Sequence, residues 1–246
     1  MLLAINIGNT NISFGLFKNN RFLKRFDIPV KDYQFRKLKD KLKNMDINDC
    51  IICSVVPKVT RILVKDLKYS GIKKPLIVGK DIFVPIKNLY RQPKKLGQDR
   101  LVNAYAGACL YGIPCMVIDL GTAITFDIVS KDKAYLGGMI LPGLNMCRDA
   151  LFRNTALLPK VKLNKPKEFI GQDTENSIIS GLVYGFTILI DGMIERIKRY
   201  LKYNLKVVGT GGDISLIYNY SHKIDIIDKN LTIKGLNILY KTYSRI

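Results

Sequence analysis

Two stretches of this chain, about 113 residues apart, read as the same structure written twice. They are LLAINIGNTNISFGLF at residues 2–17 and CMVIDLGTAITFDIVS at residues 115–130. Each is an apolar run, a Gly-Asn-Thr or Gly-Thr-Ala turn, and a second apolar run, which is the pattern of a hairpin strand pair. Placed together, Ile5, Asn6, Ile7 and Gly8 meet Ile118, Asp119, Leu120 and Gly121. With one extra residue allowed in the first turn, Thr10, Ile12 and Phe14 meet Thr122, Ile124 and Phe126. That period is too long for a solenoid repeat. It predicts a duplicated α/β domain, residues 1–113 and 114–246, each half opening as a three-strand meander and continuing into βα units.

The remaining pattern is consistent with that plan. Helices are expected near 33–44, 58–70, 101–112, 145–153 and 174–202, with a closing helix from Leu231. CIICSVV, KPLIVG, KVVGTGG and KIDIID read as further strands, and IKNLYRQPKKLGQDR, punctuated by Pro93 and Gly97, as irregular chain. With 246 residues and 48% apolar composition there is ample material for a core. No uninterrupted apolar run approaches the ~20 residues of a membrane span, and residues 1–5 are too short, and lack the basic start, for a signal peptide. A soluble cytoplasmic protein is expected, with no membrane partner.

Forty basic residues against 20 acidic ones give a net charge of +20. The lysines are scattered through KNNRFLKR, RKLKDKLKN and RIKRYLKYNLK, interrupted by acids and by apolar positions at helical spacing. They read as solvated faces and not as a nucleic-acid stripe, although the field favours anionic small substrates such as ATP. Cys50-Ile-Ile-Cys53 is formally a CxxC pair. It lies in an apparent buried strand, where side chains three apart point to opposite faces, and no second pair completes a zinc site. Cys109, Cys115 and Cys147 sit in apolar stretches and read as small core residues.

The two Gly-Thr turns are the candidate phosphate sites, since backbone N–H groups and the hydroxyls of Thr10 and Thr122 can donate to phosphate oxygens. A third turn, Val208-Gly209-Thr210-Gly211-Gly212, also permits close approach of a nucleotide. Gly137-Gly138 and Pro142-Gly143 read as turn or hinge points. Asp99 and Arg100 sit ahead of a helix. Asp99 suits either a general base toward a substrate hydroxyl or a carboxylate complementing the helix dipole, and Arg100 suits a substrate carboxylate. His222, the only histidine, sits in a polar turn and has no catalytic partner in the pattern.

Taken in order, INIGNTNISFG, SVVP, LGQDRLVNAYAG, VIDLGTAITFDIV, LGGMILPGL, DTENSIISGLVYG, GTGG and LTIKGLNILY resemble the type III pantothenate kinases over nearly the whole chain. The resemblance implies two duplicated ribonuclease-H-like domains of the actin-like ATPase class, with mixed β-sheets and an interdomain nucleotide cleft. It implies transfer of the γ-phosphate of ATP to pantothenate, with Mg²⁺ and a monovalent cation, K⁺ or NH₄⁺, in a homodimer. Matched motif by motif, Asn6, Ile7, Gly8, Asn9, Thr10, Asn11, Ile12 and Ser13 form the first ATP loop, and Thr122 is the second loop's ATP contact. Gly97, Gln98, Asp99 and Arg100 match the pantothenate-binding segment, with Asp99 as catalytic base. Thr174 and Tyr90 match further substrate contacts, and Asp119 the monovalent-cation ligand.

One residue departs from the resemblance. The family carries Asp where this chain has Asn6, the slot associated with Mg²⁺ and its waters. Asparagine keeps the size and one carbonyl oxygen but loses the negative charge. Three readings follow: an active or impaired kinase, a silent homologue that binds nucleotide or pantothenate and regulates transcription, and a basic nucleic-acid-binding protein on a kinase-derived fold.

Overall fold

A computed structural model describes residues 1–72 and 74–244. The chain divides into two compact units, Met1–Cys109 with Asn230–Ile246, and Leu110–Lys229.

The first unit opens with β1 (Leu2–Ile7), β2 (Asn11–Lys18) and β3 (Arg21–Pro29), followed by α1 (Phe35–Leu42), β4 (Asp49–Ser54), α2 (Pro57–Tyr69), β5 (Leu76–Ile77), β6 (Lys87–Asn88) and α3 (Gln98–Tyr111). The second contains β7 (Cys115–Leu120), β8 (Ala123–Val129), β9 (Ala134–Pro142), α4 (Leu144–Asn154), α5 (Thr174–Leu201), β10 (Lys206–Thr210), α6 (Ile214–Tyr218) and β11 (Ile226–Ile227). Helix α7 (Leu231–Tyr243) closes the chain.

The two sheets repeat one topology. In the first the order is β3-β2-β1-β4-β5; in the second, which has six strands, it is β11-β10-β7-β8-β9-β6, and its first five repeat the plan. Each has an antiparallel meander whose first strand also takes a parallel neighbour, β4 beside β1 and β10 beside β7. The register repeats as well. Ile5 faces Phe14 and Ile7 faces Ile12; Ile118 faces Phe126 and Leu120 faces Ile124. These apolar pairs enter a core in each unit, with Leu38, Leu63 and Leu67 in the first and Val183, Ile190 and Ile194 in the second. Because side chains alternate along a strand, burying those residues turns Asn6 and Asp119 to the opposite face.

Several details differ from the sequence expectation. Residues 230–246 belong with the first unit and not with the second half of the sequence. The reason is packing: Leu231, Leu236 and Leu239 of α7 are fully buried, and Ile233 sits against Gly15 of β2. Strand KPLIVG shrinks to two residues at the sheet edge, where the Asp81 carboxylate accepts the Ile77 N–H at 2.9 Å. Pro57 starts α2 at its first turn, where its missing donor costs nothing, and helix α6 was not anticipated. Cys50 and Cys53 are buried as expected, and so is Cys115; Cys109, expected in the core, is exposed near the end of α3, and Cys147 is only half-buried. Helix α5 is long and apolar enough, by length and composition, to cross a membrane. Its Ile178, Ile179, Val183, Ile190, Ile194 and Ile197 are buried in the core of the second unit instead.

A methyl group on Gly15 would lie 2.1 Å from Ile233 Cγ2. Gly15→Ala is expected to cost about 1–3 kcal/mol in urea unfolding. Combining it with Ile233→Ala should restore part of that loss beyond the sum of the two single effects. Additive behaviour would contradict the contact.

Candidate functional site

In the first unit the polar row begins at the tip of β1. Asn6 lies between Cys53 of β4 and Ser13 of β2, and Ser13 in turn faces Asp27 of β3. All four share the face turned away from the apolar core. The turn itself is held by the Gly8 N–H donating to the Asn11 carbonyl at 3.0 Å, and it leaves Asn9, Thr10 and Asn11 exposed. Ser13 is nearly buried, and its hydroxyl accepts a hydrogen bond from Arg25 Nη2 at 3.1 Å. Arg25, paired with Asp27 at 3.0 Å, is a site-adjacent residue that the motif pattern missed; only its place two residues before Asp27 on β3 hints at it. The Asn6 Oδ1 atom is buried and accepts no hydrogen bond among the described residues. An orphan acceptor of that kind is costly unless a cation, a water or a ligand donor completes it.

Asp99 lies within electrostatic reach of Cys53 in this row. It begins α3, where its carboxylate accepts the Arg100 N–H at 2.8 Å, so the dipole-complementing role expected of it is present. Burial nevertheless pushes its carboxyl up from the ordinary range, against the lowering effect of that N–H and of the Arg100 charge. The Cys53 thiol is pushed up first by burial and then by the Asp99 charge, which makes Asp99 a neighbour of Cys53 and so of the row that holds Asn6. Gly97 makes this possible, because a Cβ there would lie 2.6 Å from Asp99 Oδ1. Gln98 packs over Gly79, whose φ is +83°. Arg100 is buried, and Tyr90 is half-buried with its backbone N–H donating to Asn88 Oδ1.

In the second unit Asp119 takes the place of Asn6. Glycines wrap it: a Cβ on Gly211 would lie 2.5 Å from Asp119 Oδ1 and 2.4 Å from the Leu120 carbonyl. The third glycine turn of the sequence therefore packs against the Asp119 tip. A Cβ on Gly143 would lie 2.5 Å from the Thr122 carbonyl, which accepts the Gly143 N–H at 3.1 Å. Beside this turn, Asn145 Nδ2 donates to Asp213 Oδ2 at 2.9 Å, and Arg148 Nη1 to Asn145 Oδ1 at 2.7 Å. Burial pushes the Asp213 carboxyl up, partly offset by Asn145 and Arg148. Asn145 and Asp213 carried no motif; only the chain reversal after β10, with Asp213 N–H on the Leu120 carbonyl, brings them here.

Thr174 lies at the exposed start of α5, capped by Asp173, whose carboxylate accepts the Asn176 N–H. It lines a cavity of about 440 Å³ with Asn164, Lys167 and Glu175. His222 is confined to its turn, its backbone N–H donating to Asp191. Among the described residues no three His, Cys, Asp or Glu side chains gather as a metal cluster.

A duplicated meander with one parallel neighbour, and a polar residue at each central strand tip, defines the actin-like ATPase and sugar-kinase class of fold. Its solved relatives include a protein of Campylobacter jejuni described as a Baf family transcriptional activator, with TM-score 0.63 and 23% identity over 99% of this chain and 100% of that one. They also include a Sinorhizobium meliloti protein assigned as a 2-dehydro-3-deoxygalactonokinase, with TM-score 0.58 and 12% identity over 100% and 98%. The family model for type III pantothenate kinase matches residues 2–196. The type III pantothenate kinase of Finegoldia magna is 41% identical over 97% of this chain and 96% of its own length. This chain belongs to the type III pantothenate kinase family.

A carboxyl raised by burial favours the fold while protonated, and that contribution is lost as pH rises through its folded-state value. Asp99→Asn should therefore melt at a higher temperature than the wild type near pH 8. The difference should close toward pH 4, as measured by thermal denaturation across that range. A variant destabilised at both ends would mean that the Asp99 charge is favourably held.

Proposed function

We propose that the chain transfers the γ-phosphoryl group of ATP to the terminal hydroxyl of pantothenate, the first step toward coenzyme A. What supports this is the family to which the chain belongs, together with Asp99, a carboxyl at the start of α3 within electrostatic reach of Cys53, the β4 partner of Asn6. A carboxylate with a raised pKa is a better proton acceptor, and phosphoryl transfer otherwise asks for positioning and charge neutralisation. Asp99 accepts the hydroxyl proton as the new O–P bond forms, while the bond from Pγ to the bridging oxygen breaks and ADP leaves. Gly97, Gln98, Arg100, Tyr90 and Thr174 hold pantothenate, with Arg100 taking its carboxylate. In the ATP loop from Asn6 to Ser13, the exposed turn residues Asn9, Thr10 and Asn11 reach the ATP phosphates, and Thr122 offers a hydroxyl.

Mg²⁺, when bound with ATP, neutralises phosphate charge. Asn6 Oδ1 suits it, as an orphan oxygen able to accept from a metal-bound water. Asp119 is assigned the monovalent cation, K⁺ or NH₄⁺; a single carboxylate among bare glycine backbone suits a singly charged ion better than a multi-carboxylate site does. A cytoplasmic homodimer completes the reading, supported by the exposed Ile188 and Leu189 on α5.

The test is pantothenate-dependent ADP formation with ATP, Mg²⁺ and K⁺. The wild type should turn over, with kcat/KM rising with pH as Asp99 ionises, and Asp99→Asn should lose nearly all activity. At an effective dielectric near 20, a restored carboxylate–Mg²⁺ attraction is worth on the order of a few kcal/mol. Asn6→Asp should therefore raise turnover roughly 10²-fold. Turnover only in Asn6→Asp would mean an intact pocket with a disabled metal site and a binding role. Silence in wild type and Asn6→Asp alike would sink the kinase reading.

A further inference from the structure

The duplication puts a hydroxyl directly across from each strand tip: Ser13 opposite Asn6, and Thr125 opposite Asp119. The two hydroxyls are wired with opposite polarity. Ser13 Oγ receives a hydrogen bond from the Arg25 guanidinium, so one of its lone pairs is occupied and its own O–H is left to donate. Thr125 Oγ1 donates instead, at 2.9 Å, to Asp127 Oδ2. Asp127 is wholly buried, and its other oxygen accepts the buried Tyr135 hydroxyl at 2.8 Å.

A hydroxyl carries one hydrogen and two lone pairs, and an ionised carboxylate only accepts. With its hydrogen committed to Asp127, Thr125 can present nothing but lone pairs to whatever else approaches it. Among the described residues no group donates to that oxygen. Side chains directly opposite on an antiparallel pair stand on one face with Cβ atoms roughly 5 Å apart. Thr125 and Asp119 therefore put a hydroxyl and a carboxyl on one face of the sheet as direct cross-strand partners. Glycine-lined backbone crowds Asp119 Oδ1, with Gly211 and Gly121 nearest.

We propose that Thr125 is a second protein ligand, with Asp119, for a monovalent cation of the K⁺ or NH₄⁺ class, and that Asp127 and Tyr135 are positioning residues that keep its lone pairs facing the ion. The inference rests on the assignment of Asp119 to that cation. It adds to it a reason why the Asp127–Tyr135 pair is buried under the sheet: without Asp127, the Thr125 hydroxyl is free to rotate and turn its hydrogen toward the ion.

The experiment titrates the full chain with KCl, NH₄Cl and NaCl at constant ionic strength, made up with choline chloride. It reads thermal stabilisation without nucleotide, thallium-205 NMR of Tl⁺ binding, and the K⁺ dependence of ADP formation. The wild type should be stabilised by K⁺ or NH₄⁺ more than by Na⁺. Thr125→Val should raise the half-saturating K⁺ concentration about tenfold or more in all three readouts, while Thr125→Ser should stay close to wild type. Asp127→Asn should weaken K⁺ by roughly 10–100-fold, as loss of an outer-shell partner does at metal sites. If the valine variant does not fold, Thr125→Ala is read in the same way. K⁺ titrations unchanged in Thr125→Val but lost in Asp119→Asn would overturn the role of Thr125 and leave Asp119 standing. A wild type indifferent to every cation would overturn the assignment of Asp119, and this inference with it.

Discussion

Everything at the two strand tips depends on the burial of one face of each sheet. Ile5, Ile7, Ile12 and Phe14 in the first unit, and Ile118, Leu120, Ile124 and Phe126 in the second, are withdrawn from water completely. A slip of one residue in either strand would take this set out of its packed core and put Asn6 or Asp119 in its place, an unfavourable exchange even though the other face of each central strand is also covered. Register is therefore pinned by the core. The aim of Asn6, Ser13, Asp119 and Thr125 follows from it without any dedicated interaction.

The second requirement is for backbone to come close to a carboxylate. Gly97 leaves room for the Asp99 oxygen, and Gly211, at a φ of +96°, lets the chain pass the Asp119 oxygen and the Leu120 carbonyl. Any Cβ at these points would sit within 2.6 Å of oxygen. Such glycines cost conformational entropy on folding. What they allow is close approach of bare backbone to the Asp99 and Asp119 oxygens.

Charge distinguishes the duplicated tips. Asp119 retains its negative charge, whereas Asn6 has none, and the Ser13 beside it is addressed by a guanidinium. The two tips therefore differ in formal charge and in the polarity of the groups around them. The wider excess of +20 adds a long-range attraction for anionic substrates. The ion pair of Lys223 and Glu195, 2.6 Å apart, is too exposed to contribute much stability, both side chains being more than 40% open to solvent.

The duplication, the three-strand meanders, the α/β class and the family were legible in the chain itself, because period-two burial and turn residues are local properties that repeat when a unit repeats. Asn6 could be recognised as a departure for the same reason: Asp119 stood in the matching slot. Other features depended on contacts between residues far apart in sequence. These include the return of α7 to the first unit and the exposure of Cys109. Asp99 could be read two ways from position alone, and its raised carboxyl comes from burial that no spacing encodes. Likewise VIDLGTAITFDIV contains Thr125 and Asp127 as plain alternating strand residues. Only pairing of β8 with β7 and β9 sets one hydroxyl against Asp119 and hands its hydrogen to a carboxylate held by Tyr135. Sequence determined which residues could alternate and turn; tertiary structure decided which oxygens would face each other, because hydrogen-bond polarity is set by neighbours in space.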